Sequence, residues 1–185
     1  MTVTVSPSTF AMVHFDHDEL VDLVQSMVDA ADLTADVELI VNERTPLGGL
    51  ELRSIDPVIC YAESGALEDP KRIRYLSAAG AREAVGKLLL EARDRLDDHF
   101  GAPPLGEPIP SPHRVAWDTR LVGELVRLGG RDQQQRRRFS FRHQHGFTDR
   151  ADSAFDRLWE SPDMTWAQIT ELSDQLRSAR SSSPG

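Results

Sequence analysis

Apolar residues recur at helical spacing in several long stretches and gather into short runs between them. Leu20, Leu23, Val24, Met27, Val28 and Ala31 return every three or four positions, which predicts a helix that starts near Asp16 or Asp18 and buries one face. Asp18, Glu19 and Asp22 fall in its first turn, where negative charge suits the helix dipole. Ahead of it, Val3, Val5, Phe10, Met12 and Val13 lie among Ser, Thr and Pro and read as an edge strand or an ordered arm. Val37 to Val41, β-branched and apolar, reads as a strand buried on both faces. Leu50 to Arg53 alternates apolar and polar, and Val58 to Ala62 reads as a third strand. Turn chemistry at Thr45-Pro46-Leu47-Gly48-Gly49 and at Asp56-Pro57 separates these runs. A further short strand is expected at Ile73 to Leu76.

A long helix is expected from about Ala78 to His99, with Ala81, Val85, Leu88, Leu89, Ala92 and Leu96 as its apolar stripe. Glu83–Lys87 and Glu91–Arg95 are favourably oriented i,i+4 pairs. Gly101 is placed to stop it, and Pro103 and Pro104 prevent resumption. Residues 101–113 hold five prolines and read as a stiff connector. A third helix, Val115 to Leu128, presents Trp117, Leu121, Leu125 and Leu128 and ends at Gly129-Gly130. Thr148 or Asp149 caps a short helix bearing Ala151, Ala154, Phe155 and Leu158. Beyond Pro162, Thr165 and Gln168 have capping-box spacing ahead of a last stripe of Trp166, Ile169, Leu172 and Leu176.

Together these elements predict an α+β fold. A small, mainly antiparallel sheet of three to five strands is covered by the long central helix. The C-terminal helices pack alongside, around Trp117, Trp159 and Trp166. Residues 1–180 read as one domain, with 101–113 as the candidate sub-boundary and 181–185 as a disordered tail.

Charge changes this picture by being split along the chain. Residues 1–70 carry 14 acidic side chains against Arg44 and Arg53, while 131–150 carry six arginines against two aspartates, inside a whole-chain net charge of −9. A pI near 5.1 argues against a nucleic-acid or membrane binder acting through its whole surface. Cys60 is the single cysteine, so no intrachain disulfide forms, and its apolar neighbours mark it as a small buried hydrophobe. Met1 to Phe10 carries no basic-then-apolar leader pattern, and no apolar run reaches the length of a membrane span, so a cytoplasmic protein without membrane contact is expected.

Three segments could carry chemistry. His14-Phe15-Asp16-His17-Asp18 packs four metal-ligand types into five residues, but a helix cap flanked by solvated histidines explains it, and no second cluster supplies the remaining ligands. No metal or cofactor is therefore expected. The second segment is Arg136, Arg137, Arg138, Phe139, Ser140, Phe141, Arg142, His143, Gln144 and His145, running on to Phe147. If extended, it sets Phe139, Phe141 and His143 on one face and Arg138, Ser140 and Arg142 on the other. Arginine forks bind phosphates and aromatic rings stack on unpaired bases, which would make an RNA or phosphorylated-ligand contact. The plainer reading is a strand whose phenyl face fills the core while its arginines pair with the acidic N-terminal half. The third is the helix pair joined at 160–164. Its spacing invites a helix-turn-helix reading, but Glu171 and Asp174 sit where phosphate neutralisation is needed, so a helical hairpin is expected instead.

The chain contains no G-x-S-x-G elbow, no P-loop and no G-x-G-x-x-G. The order of helix, strands and long helix over residues 18–100 resembles the start of small bacterial zincin-like metalloproteases, whose long helix carries H-E-x-x-H. Here that helix reads Glu83-Ala84-Val85-Gly86-Lys87 and ends at Asp98-His99-Phe100-Gly101, with one histidine and no paired glutamate, so no functional residue carries over. The expectation for function is a non-enzymatic interaction or regulatory protein with a protein partner. The alternatives are RNA or nucleotide-phosphate binding through 136–147, and an enzyme or metal site assembled from distant residues.

Overall fold

The computed structural model of the chain describes residues 1–181, and of 179–181 the backbone only. It divides into two compact units, Met1–Leu96 and the residues from Asp97 onward, the break falling just ahead of the proline-rich stretch.

The first unit is α+β. Its elements are β1 (Val3–Ser6), α1 (His17–Ala30), β2 (Val37–Asn42), β3 (Leu50–Ile55), β4 (Val58–Glu63), β5 (Glu68–Asp69), β6 (Arg72–Leu76) and α2 (Ala78–Leu96). Asp16 starts α1 by accepting hydrogen bonds from the backbone N–H groups of Asp18 and Glu19, at 2.9 and 3.0 Å. Leu20, Val24, Met27 and Val28 are fully buried on the stripe the spacing predicts.

Four strands form a sheet in the order β1-β2-β4-β3, and β5 and β6 form a separate antiparallel pair. The main sheet is mixed, not mainly antiparallel as expected. β1–β2 and β2–β4 are parallel, and only β3–β4 is antiparallel. The reason is connectivity. Helix α1 carries the chain back between β1 and β2, which makes those strands parallel. The 43–49 loop then sends β3 to the sheet edge, and the β3–β4 hairpin returns β4 beside β2 in the same direction.

Burial alternates along β2 and β4: Val37, Leu39, Val41, Val58, Cys60 and Ala62 point into the core, while Glu38, Ile40, Asn42, Ile59, Tyr61 and Glu63 are half-buried. The expectation that 37–41 is buried on both faces is therefore corrected. α1 contacts β1, α2 contacts β3 and β4, and the two helices contact each other, so both lie on the face that carries these buried side chains. On the opposite, half-buried face Arg53 lies 3.5 Å over the Tyr61 ring, and Asn42 donates to the Tyr61 hydroxyl at 2.8 Å.

α2 is the long helix expected, ending at Leu96 instead of His99, and Leu96 is exposed instead of closing the apolar stripe. The Glu91–Arg95 pair forms at 3.0 Å, with both side chains almost fully buried.

The second unit contains α3 (Ser111–Arg127), α4 (Gln134–His145), α5 (Asp149–Glu160) and α6 (Trp166–Ser181). α3 contacts each of the other three. Trp117, Leu121, Phe141, Phe155, Leu158 and Ile169 are its fully buried side chains of largest size. Trp117 packs edge-on against Trp166 at 5.3 Å, and Trp159 stacks on Phe155 at 5.5 Å. The capping box at α6 forms in both directions: Thr165 N–H donates to Gln168 at 3.0 Å and Gln168 N–H to Thr165 at 3.4 Å. Of the tail expected at 181–185, residues 182–185 lie outside the described residues.

Candidate functional site

The basic-aromatic segment is helical, which corrects both extended readings of it. Nothing between Arg131 and Phe147 is β-branched, and the stretch opens with glutamine and arginine, which are good helix formers. The helical period of 3.6 sorts the segment differently from the period of two. Phe141 and His145, one turn apart, face inward. Phe139 and His143, one turn apart, face outward. Gly146, at φ +103° and ψ 158°, ends the helix in a conformation that only glycine adopts without strain. Thr148 then opens α5 by accepting from Ala151 N–H at 3.2 Å.

The inward pair is structural. Phe141 is fully buried and stacks on the His145 imidazole with centroids 4.0 Å apart. His145 Nδ1 lies 3.2 Å from the Phe141 carbonyl oxygen, which can only accept, so Nδ1 carries the proton. Nε2 is thereby left to accept from the Ser173 hydroxyl at 2.9 Å. Burial holds the imidazole below its usual pKa, and the carbonyl contact only partly offsets this. His145 is 3% exposed and Ser173 1%, so no substrate can approach the hydroxyl. The pair clasps α4 to α6.

Two of the arginines are occupied. Arg142 grips Asp152 with two parallel bonds, Nε–Oδ1 at 2.7 Å and Nη2–Oδ2 at 2.6 Å. Arg138 hydrogen-bonds Asp156, reaches within 3.9 Å of Asp152, and lies 4.4 Å over the Phe155 ring. The pairing predicted for these arginines exists, but its carboxylates belong to the neighbouring helix α5 and not to the N-terminal half. The Arg142 guanidinium bonded to Asp152 holds that carboxyl below its usual pKa.

What remains outward is a ridge of three rings. Phe139 is 57% and Phe147 61% exposed. Phe139 meets His143 at 4.5 Å and 80°, Phe139 meets Phe147 at 6.1 Å and 73°, and His143 meets Phe147 at 5.5 Å and 82°. The three ring planes are therefore close to mutually perpendicular, and together they form a knob instead of a flat platform. Arg136 shares this helical face, being three residues before Phe139 and seven before His143, and it is exposed. Arg137 is half-buried, and its Nε has no hydrogen-bond partner among the described residues. Arg136, Arg137 and Arg150 form no ion pair among the described residues. The eight residues singled out in the sequence thus separate into core (Phe141, His145), neutralised support (Arg138, Arg142) and exposed surface (Arg136, Phe139, His143), with Arg137 at the margin. Phe147 joins the surface, and Ser173 is the polar partner that the sequence did not reveal.

The His14–Asp18 segment does not converge on a site. His14 stacks on Tyr75 at 4.6 Å, Asp16 caps α1, and His17 bonds the Val5 carbonyl and Asp18. Among the described residues no group of three or more His, Cys, Asp or Glu side chains is arranged to hold a metal ion. Cys60 is fully buried, and burial, helped by the Glu91 carboxylate, pushes its thiol up to about 12, so it is not a reactive thiolate. No helix among the described residues is long and apolar enough to cross a membrane.

No protein-family model matches the chain, and no curated protein or solved structure matches it either.

Proposed function

We propose that this chain is a non-enzymatic protein-interaction module and that the Phe139–His143–Phe147 ridge is its contact surface. The observation that carries the reading is the joint exposure of two phenyl rings that touch each other and a shared imidazole, on the outer side of a helix whose inner side is core. A single exposed phenylalanine is ordinary. Three rings gathered in water keep an apolar surface hydrated that a partner would bury, at roughly 25 cal/mol per Å². Aromatic and arginine side chains together also make up the composition of interface hot spots. The test is a quantitative pull-down with wild-type protein and the F139A/F147A double variant. The reading expects proteins enriched on wild type and lost on the variant, with circular dichroism unchanged because both rings are exposed. Identical recovery on the two baits overturns it.

A second reading, RNA or nucleotide-phosphate binding, draws on one observation: exposed Arg136 shares a helix face with exposed Phe139. Two features weigh against it. Arg138 and Arg142 are neutralised by Asp156 and Asp152. The ring planes stand nearly perpendicular to one another and so form no coplanar stacking platform. This reading expects oligonucleotide affinity that falls steeply with salt and disappears on R136A/R137A substitution.

A further inference from the structure

Resting on the reading of α4 as a contact surface, we infer that its partner is an acidic amphipathic segment of another protein, with apolar side chains seated on Phe139 and Phe147 and carboxylates on Arg136 and Arg150. The argument is charge complementarity around an apolar ridge. Gln134–His145 holds four arginines and no acidic residue. At its start the Asp132 carboxylate already accepts from the Gln134 N–H at 2.8 Å. Arg136, exposed and without an ion pair among the described residues, is therefore the cation on the ridge face left for an arriving carboxylate. Arg150, exposed and three residues beyond Phe147 in the chain, is a second arginine without an ion pair among the described residues.

The anion is a protein carboxylate and not a phosphate polymer or a lipid surface. Over residues 131–156 six arginines face four aspartates, so the local excess is two charges in a chain of net −9. Such a chain is repelled by a densely charged polyanion or an anionic membrane at long range, whereas a few carboxylates beside apolar groups match both the ridge and its flanks. The ridge is smaller than the ~1,600 Å² of a standard interface, so a short linear segment is the fitting occupant and affinity near the micromolar range is expected.

Random peptides of about 16 residues, long enough for an amphipathic helix of about four turns, are displayed on phage and selected on the full-length protein. Enriched peptides are then labelled and titrated by fluorescence anisotropy. The inference expects a consensus combining Asp or Glu with Leu, Ile, Phe or Trp. It also expects about tenfold or greater loss of affinity on F139A/F147A and on R136E/R150E, and recovery on R136E/R150E when the peptide's acids become lysines. A neutral or basic consensus that still needs Phe139 and Phe147 overturns the acidic partner and leaves the contact surface standing. Peptides indifferent to both double variants, or no enrichment, overturn both. A single-stranded oligonucleotide of about 20 thymidines that binds through Arg136 and Arg150 when no acidic peptide does overturns the inference in favour of nucleic acid.

Discussion

Arg142 and Asp152 face each other across the α4–α5 turn through two parallel N–H···O bonds of 2.7 and 2.6 Å, with Arg138 stationed one helical turn away on Asp156. This ladder holds the antiparallel helix pair in register and removes two cations from the surface of α4. D152A is expected to lower the melting temperature, by less as salt is raised, because the pair is partly solvated and screened. The carboxyl is held below its ordinary value of 3.8, so its contribution is present above that pH and is lost as pH falls through the lowered value. Wild-type and D152A stability curves should therefore converge in acid. Releasing both arginines with D152A/D156A should raise affinity for a single-stranded oligonucleotide, which anisotropy at low salt measures.

The two histidines with displaced pKa values drive stability in opposite directions. His145 is held below 6.5 by burial, so the unfolded chain binds its proton first. Its contribution is complete above about pH 6.5 and falls as the pH drops toward the lowered value. His17 is raised above 6.5 by Asp18 and the Val5 carbonyl, so its contribution is complete below 6.5 and is lost as pH rises through the raised value. Thermal melts between about pH 7.5 and pH 5 are expected to lose stability in the helical unit on acidification. H145F should flatten that dependence while lowering stability at neutral pH, since Ser173 loses its acceptor. A slope unchanged by H145F would contradict this assignment.

Local features were legible in the sequence because the chain is close to itself there. The Asp16 cap, the Thr165/Gln168 box, and the strand–turn–strand run from Leu50 through Pro57 to Ala62 all rest on neighbours in sequence. The parallel pairing of β2 with β4 was not legible. It depends on β3 moving to the edge, a choice made by packing and not by any residue in 37–63. The site was legible as a segment and misread in period. Phe139-Ser140-Phe141 alternates over three residues, too few to tell a strand from a helix, and that choice alone decides which phenyl ring meets water. The absence of β-branched residues was the available signal. Nothing near His145 in sequence pointed to Ser173, because their contact spans 28 positions.

Arg74 adopts φ +69°, a region that costs a side-chain-bearing residue about 1 kcal/mol or more. Hydrogen bonds offset the strain. Its N–H donates to Glu68 at 2.9 Å, its guanidinium donates to the Glu43 carbonyl at 3.1 Å and to Ser64 at 3.3 Å, and its carbonyl accepts from His14 N–H at 2.7 Å. R74A loses the guanidinium bonds and keeps the strain. R74G loses the bonds and relieves the strain. Denaturant unfolding should rank stability as wild type, then R74G, then R74A, with R74A lower by about 1–3 kcal/mol. R74A matching or exceeding R74G would refute the backbone argument.

Gly123 marks the closest approach in the helical unit. A Cβ built there would stand 2.4 Å from the Trp159 carbonyl oxygen and 3.0 Å from the Trp159 Cα, both main-chain atoms with no side-chain freedom to yield. The same carbonyl accepts a 2.6 Å bond from Arg127, one helical turn along α3. G123A should therefore separate α3 from α5, stretch the Arg127 bond and loosen the Phe155–Trp159 stack behind it. Helix propensity alone would make the change favourable by up to about 1 kcal/mol, since alanine is the better helix former. Overpacking against fixed backbone costs about 1–3 kcal/mol and should win. Urea unfolding followed by tryptophan fluorescence is expected to shift to lower denaturant in G123A, and an upward shift would mean that α3 and α5 can separate freely.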